Sequence, residues 1–267
     1  MKHQPRKRFG QNFLSDQKII QDLINFLNLI STDVVIEIGP GIGALTEPLL
    51  GQVDKLVAIE IDRDLVAKLF KVFKSQKNLT LITADALQIA YSQWGENIRV
   101  VGNLPYNIAT PLLIKLLDYK QFIKDLHLML QKEVALRLAA QPGNKNYGRL
   151  SIITQYHCAV ELLALVPAAA FDPRPKVSSA ILRLTPYKSS PYAPVNICAF
   201  KYLITKAFSM RRKTLANNLM GLISAEQIVD LGMDPKLRPE QIKIEQYIIL
   251  ANSPYIKRLV GSNATNQ

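Results

Sequence analysis

From residue 31 onward the chain alternates between short, nearly unbroken apolar runs and longer stretches whose apolar residues recur every three or four positions. "DVVIEIG" (33–39), "KLVAIEID" (55–62), "LTLITAD" (79–85) and "IRVVGNLP" (98–105) are rich in Val and Ile, the pattern of strands covered on both faces of a parallel sheet. Between them "ALTEPLL" and "RDLVAKLFKVFKS" carry helical spacing. Strands alternating with helices predict an α/β fold, a mostly parallel sheet with helices on both faces. "DLHLMLQKEVALRLAA" adds a fifth strand running into a helix. "LSIITQYHCAVELLALV" and "VSSAILRLTPY" read as two more strands, antiparallel in style, which makes seven. Near residue 186 the pattern changes. "TPYKSSPYAPVN" holds three prolines and reads as a linker, and the segments beyond it are helical in period. The expected organisation is an α/β domain over 1–186, with a basic lead-in over 1–15, and a small all-α domain over 187–267.

Composition narrows the class. A chain of 267 residues with 48% hydrophobic residues can bury a sizeable core and is not disordered. Two cysteines, Cys158 and Cys198, make no disulfide framework and point to a reducing compartment. No secretory leader or membrane span is visible, so a cytoplasmic protein without a membrane partner is expected. His3, His127 and His157 lack metal-ligand spacing, so no metal is expected, and there is neither a P-loop nor a nucleophile elbow. Lys and Arg number 33 against 21 Asp and Glu, a net charge of +12 that suggests a polyanionic partner.

"EIGPGIGALTE" (37–47) follows the first strand and opens a helix, and its glycines at 39, 41 and 43 let the backbone turn sharply and approach a ligand. The spacing is not that of the dinucleotide fingerprint. Glu37, at the strand's carboxyl end, would repel a pyrophosphate and would suit a cationic ligand such as S-adenosylmethionine. Glu60 ends the second strand 21 residues after Gly39, the usual reach for a carboxylate that accepts ribose hydroxyls. Asp85 ends the third, where it can accept from an adenine amine. Either acid alone also fits a helix N-cap, and Asp62 reads as a cap or a solvated charge. The ordered set reads as a nucleoside site.

The fourth strand ends in Asn103, Leu104, Pro105 and Tyr106. An exocyclic adenine amine is a poor nucleophile because its lone pair is delocalised into the ring. Against a methylsulfonium, catalysis mainly requires alignment and a shift of that nitrogen toward tetrahedral geometry. The Asn103 amide oxygen and the Leu104 carbonyl can accept its N–H groups and stabilise the positive charge that develops. Pro105 stiffens the turn, and Tyr106 offers a ring face to a flipped base. Taken alone, the motif is also an ordinary strand-to-helix turn.

"RKRFGQNFL" (6–14), "EIGPGIGALTE", "GNLPYNIATPLL" (102–113), "MLQKEVALRL" (129–138), "YGRLSIITQY" (147–156) and "FDPRPKVSSAI" (171–181) together resemble the ribosomal RNA adenine dimethyltransferases, in their bacterial small-subunit form. The resemblance runs to about residue 186 and more loosely through the helical tail. It implies a Rossmann-like S-adenosylmethionine-dependent methyltransferase, with S-adenosylhomocysteine as product. Its implied action is to dimethylate N6 of two adjacent adenosines in the 3′-terminal hairpin of 16S rRNA, in an immature small subunit (pre-30S), as a monomer. By motif, Asn12 and Leu14 would close over the methionine end of the cofactor. Gly39 would lie beneath it, Glu60 would bind the ribose and Asp85 the adenine, and Asn103 would span cofactor and target amine. Phe171 would wall the base opposite Tyr106; a loop aromatic plugging the core is the other reading.

Basic charge is uneven. From Pro173 to Ala225 there is no Asp or Glu, yet Arg174, Lys176, Arg183, Lys188, Lys201, Lys206, Arg211, Arg212 and Lys213 occur there; Lys2, Arg6, Lys7 and Arg8 stand in an acid-free start. Both stretches suit RNA phosphates, with Arg6, Lys7, Arg8, Arg211, Arg212 and Lys213 as candidate contacts. The rival readings are a large-subunit rRNA or a DNA adenine methyltransferase, and a non-catalytic ribosome assembly factor.

Overall fold

A computed structural model of the chain describes residues 11–256. They form two compact units, one from residues up to Leu136 with Cys158–Lys188, the other from Arg137–His157 with the residues from Ser189 on. The first unit begins with β1 (Phe13–Leu14), α1 (Gln17–Leu27), β2 (Val34–Ile38), α2 (Thr46–Leu50), β3 (Lys55–Glu60), α3 (Arg63–Val72) and β4 (Leu79–Thr83). It continues with β5 (Ile98–Asn103), α4 (Ala109–Asp118), β6 (Ile123–Gln131) and α5 (Lys132–Leu138). The second unit contributes α6 (Arg149–His157), and the first unit closes with β7 (Cys158–Val166), β8 (Phe171–Asp172) and β9 (Ser179–Pro186).

Seven strands form one sheet in the order β4-β3-β2-β5-β6-β9-β7. The first five of these are parallel, and β9 runs antiparallel to both β6 and β7. The order reverses between β2 and β5. With right-handed crossovers this puts helices on both faces and opens a crevice at the strands' carboxyl ends. The register sets Ile38 opposite Ile59, Glu60 opposite Thr83 and Glu37 opposite Val101, so the functional ends of four strands lie along one edge. The outer strands differ from the expectation of uniformly buried runs. β4 exposes Thr80 and Thr83 and β7 exposes Glu161 and Leu162, because each is a sheet edge, and edge placement follows from topology rather than from the run itself.

At the opposite end, the amino end of β5, Arg99 is 4% exposed. Its guanidinium grips Asp125 through two bonds (3.0 and 2.7 Å), reaches Asp33 at 2.9 Å, and donates to the Leu27 and Asn28 carbonyls that end α1. Burial pushes the Asp33 carboxyl up. The Ile30 amide, Lys124 and Arg99 outweigh that and hold it below the usual carboxylate range. The clamp fixes α1, whose apolar stripe Ile20, Leu23, Ile24 and Leu27 is packed into the core.

In the second unit follow α7 (Ile197–Ala207), α8 (Leu215–Asn218), α9 (Ala225–Asp230) and α10 (Ile244–Asn252), an all-α arrangement as expected. Two expectations need correction. Arg149–His157 is helix α6, not the start of a strand: a short run of consecutive buried residues satisfies either period. Gln155 in this helix donates to the carbonyls of Leu138 and Ala140 at 2.7 and 2.8 Å, and Tyr156 stacks on Tyr192 with 5.8 Å between centroids. Consequently a single cut at residue 186 does not divide the chain, because residues 137–157 belong to the helical unit.

Candidate active site

The chain leaves β2 through a loop in which Gly39 and Gly41 have φ of 70° and 61°, a region that side chains with a Cβ rarely adopt. The Gly39 N–H donates to the Ile59 carbonyl at 2.9 Å, tying the loop to β3. A Cβ on Gly41 would stand 2.9 Å from the Phe13 ring, so the segment 11–14 lies directly on the loop. That segment is anchored by the pairing of β1 with β8, Leu14 opposite Phe171 and Phe13 opposite Asp172, and by Gln11 donating to Asp62 at 3.0 Å.

A cavity of about 210 Å³ opens over this loop at the carboxyl ends of β2, β3 and β5. Three acidic side chains line it, Glu37, Glu60 and Asp85, and among the described residues no Lys, Arg or His does. Glu37 is 1% exposed and accepts from the Thr46 hydroxyl at 2.7 Å; burial, with the Glu60 charge adding to it, pushes its carboxyl up to about 8. Glu60 accepts from the amides of Gly41 (3.3 Å) and Asp62 (2.9 Å), and burial raises its carboxyl as well. Asp85 lines the cavity and also caps the turn that follows by accepting from the Leu87 amide at 2.9 Å. Asp62 is a buried cap on α3. Acidic side chains with no cation among the described lining disfavour phosphates and favour a ligand that carries positive charge.

Asn103 ends β5 on the cavity wall. Its Nδ2 donates to the Asn12 carbonyl at 3.0 Å, which orients the amide and leaves Oδ1 as its acceptor. Leu104 is 1% exposed, and its N–H donates to the Met129 carbonyl at 3.1 Å. Pro105 accepts from the Ile108 amide at 3.1 Å, which closes the turn into α4. Tyr106 lies on the cavity wall with its hydroxyl 3.0 Å from that of the fully buried Ser179.

The cavity thus gathers Asn12, Leu14, Gly39, Glu60, Asp85, Asn103, Leu104, Pro105 and Tyr106. Phe171 is not among its lining. It is 4% exposed and belongs to the apolar cluster of Leu14, Met129 and Ile181. Arg211, Arg212 and Lys213 are exposed in the helical unit, while Arg6, Lys7 and Arg8 lie outside the described residues. Arg183, counted with the acid-free cations, is paired with Glu161 of β7 at 3.1 and 2.6 Å and so is not a free cation.

Three residues escaped the sequence reading. Phe13 sits between two residues singled out there. Gly102 carried one signal, a glycine inside a buried strand, but its close approach shows only in the fold: a Cβ there would be 2.6 Å from the Ile38 carbonyl oxygen. Ser179 becomes visible only when β9 is set beside Tyr106.

A family model described as ribosomal RNA adenine dimethylase matches residues 2–254. A "Ribosomal RNA small subunit methyltransferase A" of Legionella pneumophila is 56% identical over 251 residues, 94% of this chain and 98% of the relative. The protein so named in Shewanella woodyi is 48% identical over 253 residues, covering 94% and 95%. Among solved structures, a dimethyladenosine transferase from Plasmodium falciparum superposes with a TM-score of 0.78 at 27% identity, over 89% of this chain and 95% of that one. The 23S rRNA methyltransferase ErmE shares the fold, with a TM-score of 0.73 at 24% identity over 93% and 100%.

Proposed function

The chain belongs to the ribosomal RNA adenine dimethylase family, and we propose that its targets are two adjacent adenosines in the 3′-terminal hairpin of 16S rRNA. It is a methyltransferase that uses S-adenosylmethionine to dimethylate adenine in rRNA. The names of the bacterial relatives support the small-subunit target. The proposal extends to an immature small subunit (pre-30S) as the form recognised, to a role in its biogenesis, and to a monomer working in the cytoplasm. Among the described residues no helix is long and apolar enough to cross a membrane.

The observation that carries the reading is the cavity that brings together three acidic side chains and one oriented carboxamide, with no cation among its described lining. Those residues fit S-adenosylmethionine, which supplies the methyl group as an electrophilic sulfonium and leaves as S-adenosylhomocysteine. Glu60 would accept from the ribose hydroxyls through lone pairs that its bonds to backbone amides do not use, and Asp85 would accept from the adenine amine. Asn12 and Leu14 cover the methionine end, and Gly39 admits it close to the backbone. Asn103 Oδ1 and the Leu104 carbonyl accept the two N–H groups of the target amine, draw the nitrogen lone pair out of conjugation and stabilise its growing positive charge. No strong base is needed, because the methylated nitrogen then releases its proton to water. Tyr106, held at its hydroxyl by Ser179, faces the flipped base. For Phe171 to form the opposite wall, its ring must turn one face out of the apolar cluster.

The test is to incubate the protein with labelled S-adenosylmethionine and unmethylated small subunits, naked 16S rRNA or 23S rRNA, then digest the RNA and separate nucleosides. Dimethyladenosine from small subunits is expected. Product only on 23S rRNA overturns the target, and product on none leaves a binding factor.

A further inference from the structure

Between α7 and α8 the chain makes a six-residue turn, residues 209–214, that carries Arg211, Arg212 and Lys213 in succession, all three exposed. The turn is wound around one side chain. Asn218, 6% exposed at the end of α8, accepts at Oδ1 from the Met210 amide (2.8 Å) and the Ser209 hydroxyl (3.1 Å). Its Nδ2 donates to the carbonyls of Met210 (3.2 Å), Lys213 (3.2 Å) and Thr214 (3.0 Å). A single buried amide therefore satisfies donors and acceptors at both ends of the turn. The inward carbonyls belong to the backbone, while the three cationic side chains emerge outward. Only a carboxamide can do this: Asp would set a carboxylate against three carbonyls, and Ala would remove all five bonds, leaving only the backbone bonds from the Lys213 amide to Met210 and from the residue-218 amide to Thr214.

Three consecutive cations held in a fixed turn, with no Asp or Glu in the sequence from Pro173 to Ala225, repel one another unless an anion joins them. On α7, which leads into the turn, Tyr202 is 42% exposed with Lys206 Nζ 5.7 Å from its ring centroid, adding a cation and an aromatic face. We infer that Asn218 is a positioning residue that pre-forms the 209–214 turn as a contact for the RNA sugar-phosphate backbone. The inference rests on the rRNA reading above. Its physical content is that the ordering cost of the turn is met on folding, not on binding.

The test is a double-mutant cycle in the full chain. Affinity for unmethylated 16S rRNA is measured across a salt series for wild type and Asn218→Ala. The same is done for the triple variant Arg211→Gln, Arg212→Gln, Lys213→Gln, and for the two combined, with thermal unfolding of each. Asn218→Ala should weaken binding several-fold near physiological salt and flatten the log–log slope, by about 0.7–0.9 per lost phosphate contact. In the triple background it should lower the melting temperature as before yet leave RNA affinity unchanged. Equal loss of affinity in both backgrounds, or an unchanged slope in Asn218→Ala, overturns the positioning role. If Asn218→Ala does not fold, Asn218→Ser, which adds no charge and keeps one hydroxyl to bond the turn, is read in the same way. A triple variant with wild-type slope overturns the phosphate contact itself. Binding to anionic lipid vesicles in preference to RNA would assign the turn to a membrane surface and overturn the proposal. RNA binding without methyl transfer would instead count against the dimethyltransferase assignment while leaving the role of Asn218 standing.

Discussion

Replacing Gly102 by Ala tests whether the two halves of the site are held in register by close contact of β2 and β5. The added Cβ would sit 2.6 Å from the Ile38 carbonyl oxygen and 3.1 Å from Leu104 Cδ2. An ordinary carbon–oxygen contact begins near 3.3 Å, so backbone must move by roughly 0.7 Å. Neither strand can yield easily, because both are central in the sheet. Overpacking of this kind costs about 1–3 kcal/mol, offset by ~0.4–1 kcal/mol from the stiffer unfolded chain. The larger consequence is functional. Ile38 precedes the glycine loop and Gly102 precedes Asn103, so the strain separates the cofactor floor from the amide that grips the target. A misplacement near 1 Å costs about 10²-fold, equivalent to ~2.7 kcal/mol of barrier. Single-turnover methyl transfer on unmethylated small subunits should therefore fall by about two orders of magnitude, while urea unfolding shifts modestly. Gly51→Ala is the control, since its Cβ meets nothing closer than 3.6 Å. A Gly102→Ala enzyme with wild-type single-turnover rate would refute the reasoning.

Arg99→Ala leaves Asp33 and Asp125 buried without their guanidinium and should cost about 3–5 kcal/mol in urea unfolding; a loss below 1 kcal/mol would reduce the clamp to ornament. The raised Glu37 carboxyl, about 8 against an ordinary 4.5, means the native state holds a proton that the unfolded chain releases between those values. Stability should therefore decline as pH rises through that window, by up to ~1.4 kcal/mol per unit from this group, and Glu37→Gln should make the decline shallower, leaving the part that the raised Glu60 carboxyl contributes. Parallel melting curves of the two proteins against pH would contradict this. Phe171→Leu should keep the fold within about 1.5 kcal/mol yet lower transfer to RNA, whereas undiminished transfer would make Phe171 a core residue only.

The order of strands and helices was legible because parallel strands are apolar throughout and their crossovers are amphipathic. The acids and the carboxamide were legible because each ends one of those runs, where the fold places ligands. What escaped depended on contact between distant segments. Gly102 needs Ile38 beside it, Ser179 needs Tyr106, and Asn218 needs the turn wrapped around it. The helix at Arg149–His157 escaped because five consecutive buried residues, Ser151 to Gln155, erase periodicity. Phe171 shows the converse: its motif suggests an aromatic wall, but only packing reveals that the ring lies in the core. Asp85 shows that one carboxylate can cap a turn and still face the cavity, so the two readings of that acid are not exclusive.

The central claim is that Asn103 acts on the target amine rather than on the cofactor alone. It is tested most directly by measuring S-adenosylmethionine affinity and single-turnover methyl transfer side by side for Asn103→Ala. The account predicts transfer reduced by about 10²–10³ with cofactor affinity changed several-fold at most. Equal loss of both would make Asn103 a cofactor anchor and contradict it.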